Sequence, residues 1–360
     1  MKILFDHLCF CQRFGGVPRY YVELIKHLPS DVVSLSVDYS NNEYLKELDI
    51  KTKSFLNNYN FKGKCTAERE FGKLFSIPRL IRSDFDIYHP THYDCYGFKY
   101  LKKNIRTVTT IHDMNFFTIP QFYTSHSQFS KQQKKIAHKV SHIITISQNT
   151  KNDLCSLWNL PVDKISVIYH GIDHERYKAS FKTNIHEPYF LYVGARNQYK
   201  NFENLIISFS RLHKHFPEIK LYCAGAPFTG NELKQFNHLD IAESVHSFQA
   251  SDEELINLYK NAIGFIFPSY YEGFGLPILE AMASECPVLL SNTSCFPEIA
   301  GDAGLYFDPY QIDDIYEKMK LIVLDTELRQ SLINRGNTRV QDFSWEKCAA
   351  QHLEVYKSLL

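Results

Sequence analysis

Apolar residues recur along this chain in short runs of strand length, separated by longer, more polar stretches whose apolar positions return with helical period. In the first half the runs fall at residues 2–10, 32–37, 86–89, 106–112, 142–146 and 165–169. In the second half they fall at 189–193, 219–223, 245–248, 262–267, 288–290 and 305–307. Helical periodicity marks residues 19–28, 201–216, 276–284 and 344–360. Strands alternating with helices predict an α/β protein built on parallel sheets, with ligand loops at the carboxyl ends of the strands. A chain of 360 residues exceeds what one hydrophobic core usually organises. The polar, weakly patterned residues 175–188 read as a linker. We therefore expect an N-terminal domain over 1–175 and a C-terminal domain over 185–343, with the amphipathic helix of 344–360 packing back on the first.

Composition narrows the class. Hydrophobic residues at 44% and charged residues at 22% describe an ordinary soluble globular protein. No run approaches the roughly 20 apolar residues that span a bilayer, and the amino terminus predicts a strand at once, with no long apolar run or small-residue cleavage site. Formal net charge is zero, which argues against a nucleic-acid partner. Nine scattered cysteines without C-x-x-C spacing predict reduced thiols and a cytoplasmic location, with Cys9 and Cys11 packing along the first strand, and no metal site. Residues 99–106 and 131–139 interleave cations with apolar side chains. They offer either a face for peripheral contact with anionic lipid on the inner side of the cytoplasmic membrane or an ordinary solvated helix face, and the lack of a long amphipathic stripe favours the second.

The strongest chemical signal is residues 268–280, PSYYEGFGLPILE, a loop between an apolar strand and a helix that carries Pro277 in its first turn. Gly273 and Gly275 let the backbone approach a ligand, and the helix start offers unpaired N–H groups to a diphosphate. Glu272 then stands at the mouth of the loop, while Glu280, one turn into the helix, suits a ribose diol. Arg196 and Lys200 lie in the loop after the first strand of the second domain, where they could offset charge on a departing nucleoside diphosphate. In the first domain, Gly15 and Gly16 follow the first strand and His112 and Asp113 follow the strand of 106–112. The glycines could present N–H groups to a phosphate or simply turn the chain. The His-Asp pair could meet a sugar or form a structural hydrogen bond. Neither G-x-G-x-x-G nor a P-loop occurs, so a nicotinamide dehydrogenase or an ATPase is not supported.

With these residues in hand, the chain resembles the retaining glycosyltransferases of family four. The resemblance rests on GGVPRYYVEL at 15–24, TIHD at 110–113, VIYHGID at 167–173, YVGARNQYKNFENLI at 192–206 and PSYYEGFGLPILEAMASECPVLLS at 268–291, with its E-x7-E spacing. It implies the GT-B fold, two Rossmann-like domains facing across a cleft, and no cofactor or metal beyond a nucleotide-sugar donor. Matched residue by residue, it puts Arg196 and Lys200 on the donor diphosphate, Glu272 on the transferred sugar and Glu280 on the ribose. Backbone around Phe274, Gly275 and Leu276 would touch sugar hydroxyls and phosphate; Gly16 would line the cleft and His112 would lie near the sugar. The ARNQYK form of the basic loop is similar to that of transferases using mannose-type donors, which tilts the donor towards GDP-mannose. The expected reaction moves a hexose to a glycan or lipid-linked glycan acceptor in polysaccharide biosynthesis. Competing readings are a nucleotide-sugar epimerase or hydrolase of the same fold, or a non-catalytic sugar-nucleotide binding module. His170, in YHGID where PNGVD is common, is given no role.

Overall fold

The computed structural model describes residues 1–56, 59, 61–123, 128–178, 185, 187–196 and 198–360. Within the expected linker, residues 179–184 and 186 lie outside the described residues, as does Asn197 of the basic loop. The chain divides into two compact units: Met1–Phe117 with Tyr123–Gly171 and Ser344–Leu360, and Thr118–Phe122 with Ile172–Phe343.

In the first unit six parallel strands, β1 (Ile3–Asp6), β2 (Val33–Ser36), β3 (Ile87–His89), β4 (Arg106–Ile111), β5 (His142–Thr145) and β6 (Ile165–Val167), run in the order β2-β1-β3-β4-β5-β6. The order reverses between β1 and β3, so the loops after these strands diverge and leave a crevice for ligands. Phe5, Ile87, Val108 and Ile144 of the sheet pack against Tyr20, Tyr21 and Leu24 of helix α1 (Gly16–His27). That helix begins three residues before the expected 19, because Pro18 sits in the first turn, where a missing N–H breaks no helical bond.

β1 is shorter than the run of 2–10 suggests, and Asp6 is the reason. Its buried carboxylate accepts from the N–H of Leu8 at 3.3 Å, the N–H of Thr91 at 3.0 Å, the Thr91 hydroxyl at 2.8 Å and the Tyr88 hydroxyl at 2.6 Å. With these bonds made, the chain leaves the sheet and Leu8–Cys11 close a 3-10 turn. Cys9 and Cys11 thus do not alternate along a strand. Cys9 is buried, whereas Cys11 is joined to Cys65 at the start of helix α2 (Lys64–Arg82), which corrects the expectation of reduced thiols for that pair; the other seven cysteines are free. The basic run of 99–106 is no helix either; it ends a 3-10 turn, loops and enters β4. The run of 131–139 belongs to the helix Gln128–Lys139, which buries Gln133, Ile136 and Ala137 and leaves most of its lysines outside.

The second unit holds β7 (Tyr189–Val193), β8 (Lys220–Ala224), β9 (Val245–Phe248), β10 (Gly264–Phe267), β11 (Val288–Ser291) and β12 (Gly304–Phe307), parallel in the order β12-β11-β10-β7-β8-β9. β10 and β11 are buried along their whole length, as the central strands of a sheet covered on both faces must be. Helices α3 (Phe202–His213), α4 (Gly230–His238) and α5 (Leu276–Ala283) follow β7, β8 and β10, and Leu205 and Phe209 of α3 share a core with Phe190, Leu221, Ile266 and Leu289. Here the order reverses between β7 and β10.

The last helix, α6 (Trp345–Ser358), belongs to the first unit and is capped by the Ser344 hydroxyl, which accepts from the Lys347 N–H at 3.1 Å. It is tied to α1 and the sheet by buried polar contacts, Tyr20 to His352 at 2.7 Å and Tyr356 to His89 at 2.7 Å. The turn after β6 touches its start so closely that a Cβ on Gly171 would lie 2.1 Å from the Trp345 nitrogen. The glycine of the sequence HGID is therefore a packing requirement. Among the described residues no helix is long and apolar enough to cross a membrane.

Candidate active site

In the second unit, the loops that follow β7 and β10 leave the sheet on either side of the reversal point. Lys200 ends a 3-10 turn after β7, and its Nζ donates to Glu272 Oε1 at 2.5 Å. Both side chains are largely shielded, at 16% and 13% exposure. Burial by itself would pull the Lys200 ammonium down, but Glu272 and the adjacent Tyr199 more than offset it, and the net shift is upward. Lys200 is accordingly a fixed cation at neutral pH. Phe267 and Tyr199 place ring faces 5.4 and 5.1 Å from its Nζ, which adds cation–π attraction in a shielded place.

The Glu272 loop is held rigid by the turn that follows β11. The Thr293 hydroxyl donates to the Tyr270 carbonyl at 3.1 Å, the Ser294 hydroxyl to the Glu272 carbonyl at 2.6 Å, and the Cys295 thiol to the Phe274 carbonyl at 3.2 Å. The Glu272 N–H returns a bond to Ser294 at 3.2 Å. Gly275, at φ 88°, then turns the chain into α5 in a conformation that a side chain disfavours, and a Cβ there would lie 2.9 Å from Ile278 Cδ1. No side chain caps α5, so the N–H groups at its start point outward with the positive end of the helix dipole. Phe274 is buried against Phe343 at 6.1 Å, and Leu276 is half-buried at the helix start. One turn further in, buried Glu280 accepts from the Tyr259 hydroxyl at 3.2 Å. Burial first, and the Glu280 charge second, raise the Tyr259 pKa well above its usual value, so that hydroxyl stays a donor.

Arg196 does not join the Lys200–Glu272 pair. Its Nε donates to Glu232 Oε1 at 2.5 Å and its Nη2 to the Pro227 carbonyl at 2.9 Å, while its guanidinium lies 4.8 Å over Phe228 and 5.6 Å from Phe202. Glu232 in turn closes a capping box with Thr229 at the start of α4. The salt bridge and the cap hold the Glu232 carboxyl below its usual pKa, although burial acts against them. Gly225 completes this corner: a Cβ there would lie 2.7 Å from the Gly194 carbonyl, so the loops after β7 and β8 meet only because the residue is glycine.

Two expected site residues lie in the first unit. Gly16 is the first residue of α1, and a Cβ on it would meet no atom within 4 Å, so its backbone borders open space. Gly15 is tighter, since a Cβ there would come within 2.7 Å of Gln12 Oε1. The His112 ring meets Tyr20 and Tyr21 of the same α1 edge-on, at 5.0 and 6.1 Å, and lies nearly parallel to His170 at 6.3 Å and 14°. Burial, helped by His92, pushes the His112 pKa down to about 3, leaving a neutral imidazole. The Asp113 carboxylate accepts from the Asn115 N–H at 3.2 Å, which makes it at least in part a local turn residue.

Sequence reading missed Glu232, Tyr199 and Ser294. Glu232 had a signal, since Thr229-Gly-Asn-Glu232 carries the T-x-x-E spacing of a capping box. Ser294 had none, because its role depends on two loops meeting in space.

Two six-stranded parallel sheets, each covered by helices, are the fold of the GT-B glycosyltransferases. Residues 14–176 match the model of Glycosyltransferase Family 4, and residues 173–339 match that of Glycosyl transferases group 1. Between them the two models take in residues 14–339, and with the relatives below they support a glycosyltransferase. It is 28% identical to an O-antigen chain mannosyltransferase B of Escherichia coli, with all of both chains covered. It is 27% identical to the O-antigen chain mannosyltransferase RfbU of Salmonella typhimurium over 66% of this chain and 65% of that one. Among solved structures, a sucrose-phosphate synthase from Thermosynechococcus elongatus superposes with a TM-score of 0.78 at 19% identity, covering 100% of this chain and 99% of that one. An Anabaena protein, HepE, in complex with UDP superposes with a TM-score of 0.76 at 17% identity, covering 99% and 100%. These two likenesses bear on the fold alone.

Proposed function

We propose that the protein is a retaining mannosyltransferase, which moves mannose from GDP-mannose to a glycan or lipid-linked glycan during synthesis of a surface polysaccharide. The observation that carries this reading is the Lys200–Glu272 pair, set where the strand order reverses and beside the uncapped start of α5. A diphosphate fits the α5 N–H groups and the Lys200 ammonium, and the ribose diol fits Glu280. Glu272 accepts from the hydroxyls of the transferred sugar. Arg196, aimed by Glu232, adds a second cation for the leaving group. In the first unit, the Gly16 backbone N–H suits a phosphate and the neutral His112 ring suits a sugar hydroxyl. The names of two full-length or near-domain-length relatives support mannose as the sugar.

Retention follows a front-face route in this reading. The bond from the anomeric carbon to the diphosphate oxygen breaks as the acceptor oxygen bonds on the same face, and the departing phosphate takes the acceptor proton. Lys200 and Arg196 offset the charge that grows on the diphosphate. Glu272 is a poor nucleophile for the alternative double displacement, because its carboxylate is already engaged by Lys200. No resident cofactor or metal enters these steps. Thermal-shift screening against GDP, UDP, ADP and TDP sugars tests the donor. Stabilisation by GDP-mannose, followed by an α-configured product in an NMR assay, is expected; a response to UDP sugars only, or an inverted product, overturns the reading.

A further inference from the structure

The first unit holds a cavity that the donor chemistry does not use. It lies beyond the carboxyl ends of β1 and β2, has a volume of about 1100 Å³, and includes Gln12, Asn41, Asn42, Lys64 and Glu68 in its wall. That volume exceeds the roughly 300–1,000 Å³ of most small-ligand pockets. The cavity borders the glycine loop at one end, because Gln12 Oε1 is the atom that a Cβ on Gly15 would strike. Its floor is unusual. Glu68, in the second turn of α2, is only 3% exposed, and while its Oε2 accepts from Asn41 Nδ2 at 3.4 Å, its buried Oε1 has no hydrogen-bond partner among the described residues. A buried carboxylate oxygen without a donor costs free energy that a ligand hydroxyl could recover.

Three of the four cations that line the cavity are already engaged within the protein, which argues against an anion site. Arg13 pairs with Glu43 at 3.1 Å, Lys46 is bonded to the same carboxylate, and Lys64 donates to the Leu56 carbonyl at 3.0 Å. An anionic ligand would also have to approach Glu68. What remains is one exposed lysine, Lys51, and a carboxylate beside the side-chain amides of Gln12, Asn41 and Asn42, a set suited to a neutral polyol.

We propose that this cavity binds the outer sugar residues of a neutral acceptor glycan, with Glu68 Oε1 accepting from a sugar hydroxyl. The inference rests on the glycosyl-transfer reading for the word acceptor, and on the cavity alone for sugar binding. Burial raises the Glu68 pKa to about 7, although Asn41 and Lys64 act against it, so the oxygen becomes a stronger acceptor above that pH.

The test is isothermal titration of α-mannotriose into the full chain and its variants at pH 8, beside thermal shift with GDP-mannose. Saturable binding to the wild type is expected. Glu68→Ala should weaken it by at least about tenfold, as loss of a hydrogen bond to a charged group does. Glu68→Gln, which keeps the shape, should fall between, and all three proteins should respond alike to GDP-mannose. The proposal is overturned if wild type does not bind the trisaccharide, if folded Glu68→Ala binds it unchanged, or if inorganic phosphate competes for the same site. A GDP-mannose response without trisaccharide binding sinks this inference and leaves the donor reading intact. Glu68-dependent trisaccharide binding without any nucleotide-sugar response does the reverse.

Discussion

Lys200 Nζ lies 2.5 Å from Glu272 Oε1, and the two residues reach that contact from loops on either side of the β7–β10 reversal. Since both are largely buried, removing one leaves an unpaired charge in a shielded place, which typically costs about 3–5 kcal/mol. Lys200→Ala should therefore be destabilised by a few kcal/mol and lose transfer activity by about a hundredfold, the scale for deleting one group that stabilises developing charge. Urea unfolding of Lys200→Met, Glu272→Leu and the double variant checks the first part. A coupling of about 1 kcal/mol or more is expected, and strictly additive losses would show that the pair does not act as one.

The two carboxylates should separate kinetically. Glu280 is buried and bound to Tyr259, one turn inside α5, whereas Glu272 stands in the loop before it. Glu280→Ala should mainly raise the donor KM and weaken nucleotide binding, because it removes an interaction present in ground and transition states alike. Glu272→Ala should mainly lower kcat. Full steady-state kinetics with a saturating acceptor separate the two, and a Glu272→Gln variant with wild-type turnover would remove that carboxylate from the chemistry.

Glu232 has two roles that one substitution can separate. It aims Arg196 and it closes the capping box of α4. Glu232→Ala should lose both, with about 1 kcal/mol of stability gone and the donor KM raised. Thr229→Ala removes the cap hydroxyl but leaves the Arg196 ion pair, so it should lose stability while keeping donor affinity. Equal donor affinities in the two variants would show that Glu232 does not position Arg196.

Much of this was legible in the residues, and what was not has physical causes. Each of the twelve apolar runs overlaps a strand, because the inner strands, buried on both faces, must be apolar throughout, and residues 245–248 and 189–193 match to the residue. Ends were less legible where a side chain decides them. Asp6 stops β1 by binding a residue 85 positions away, a contact that no local pattern encodes. The strand orders, which place Lys200 opposite Glu272, are likewise properties of topology. The divergence of Arg196 from Lys200 depends on Glu232, which lies 36 positions from the arginine.

The histidines around Tyr20 should make the first unit sensitive to acid. His89, His170 and His352 are all buried, and burial lowers each pKa, His352 to about 4. In the fold, His352 Nδ1–H donates to the Cys348 carbonyl at 2.8 Å and Nε2 accepts from the Tyr20 hydroxyl at 2.7 Å, an arrangement that needs the neutral ring. The unfolded chain binds protons from pH 6.5 downward and the folded one does not until near 4, so stability is full above 6.5 and falls as pH drops. At pH 5 His352 alone accounts for about 2 kcal/mol. Urea unfolding at pH 7.5 and 5 should show this slope, and His352→Gln should flatten it by about that amount while lowering stability at both values.

Glu68 should give the opposite slope. Its pKa is raised to about 7 by burial, so between pH 4.5 and 7 the folded state holds a proton that the unfolded chain has released. The contribution is most favourable below 4.5 and is lost as pH rises through 7, reaching a penalty of up to about 3 kcal/mol at pH 8. Glu68→Gln keeps the shape and removes the ionisation. Its melting temperature should therefore exceed that of the wild type at pH 8 and approach it at pH 5. If saturating α-mannotriose fills the cavity, the hydroxyl bonded to Oε1 relieves part of the penalty, and the wild type should gain more from the sugar at pH 8 than at pH 5. A Glu68→Gln protein less stable than wild type at pH 8 would mean that the carboxylate already has a strong partner, and the cavity would then have no need of a ligand there.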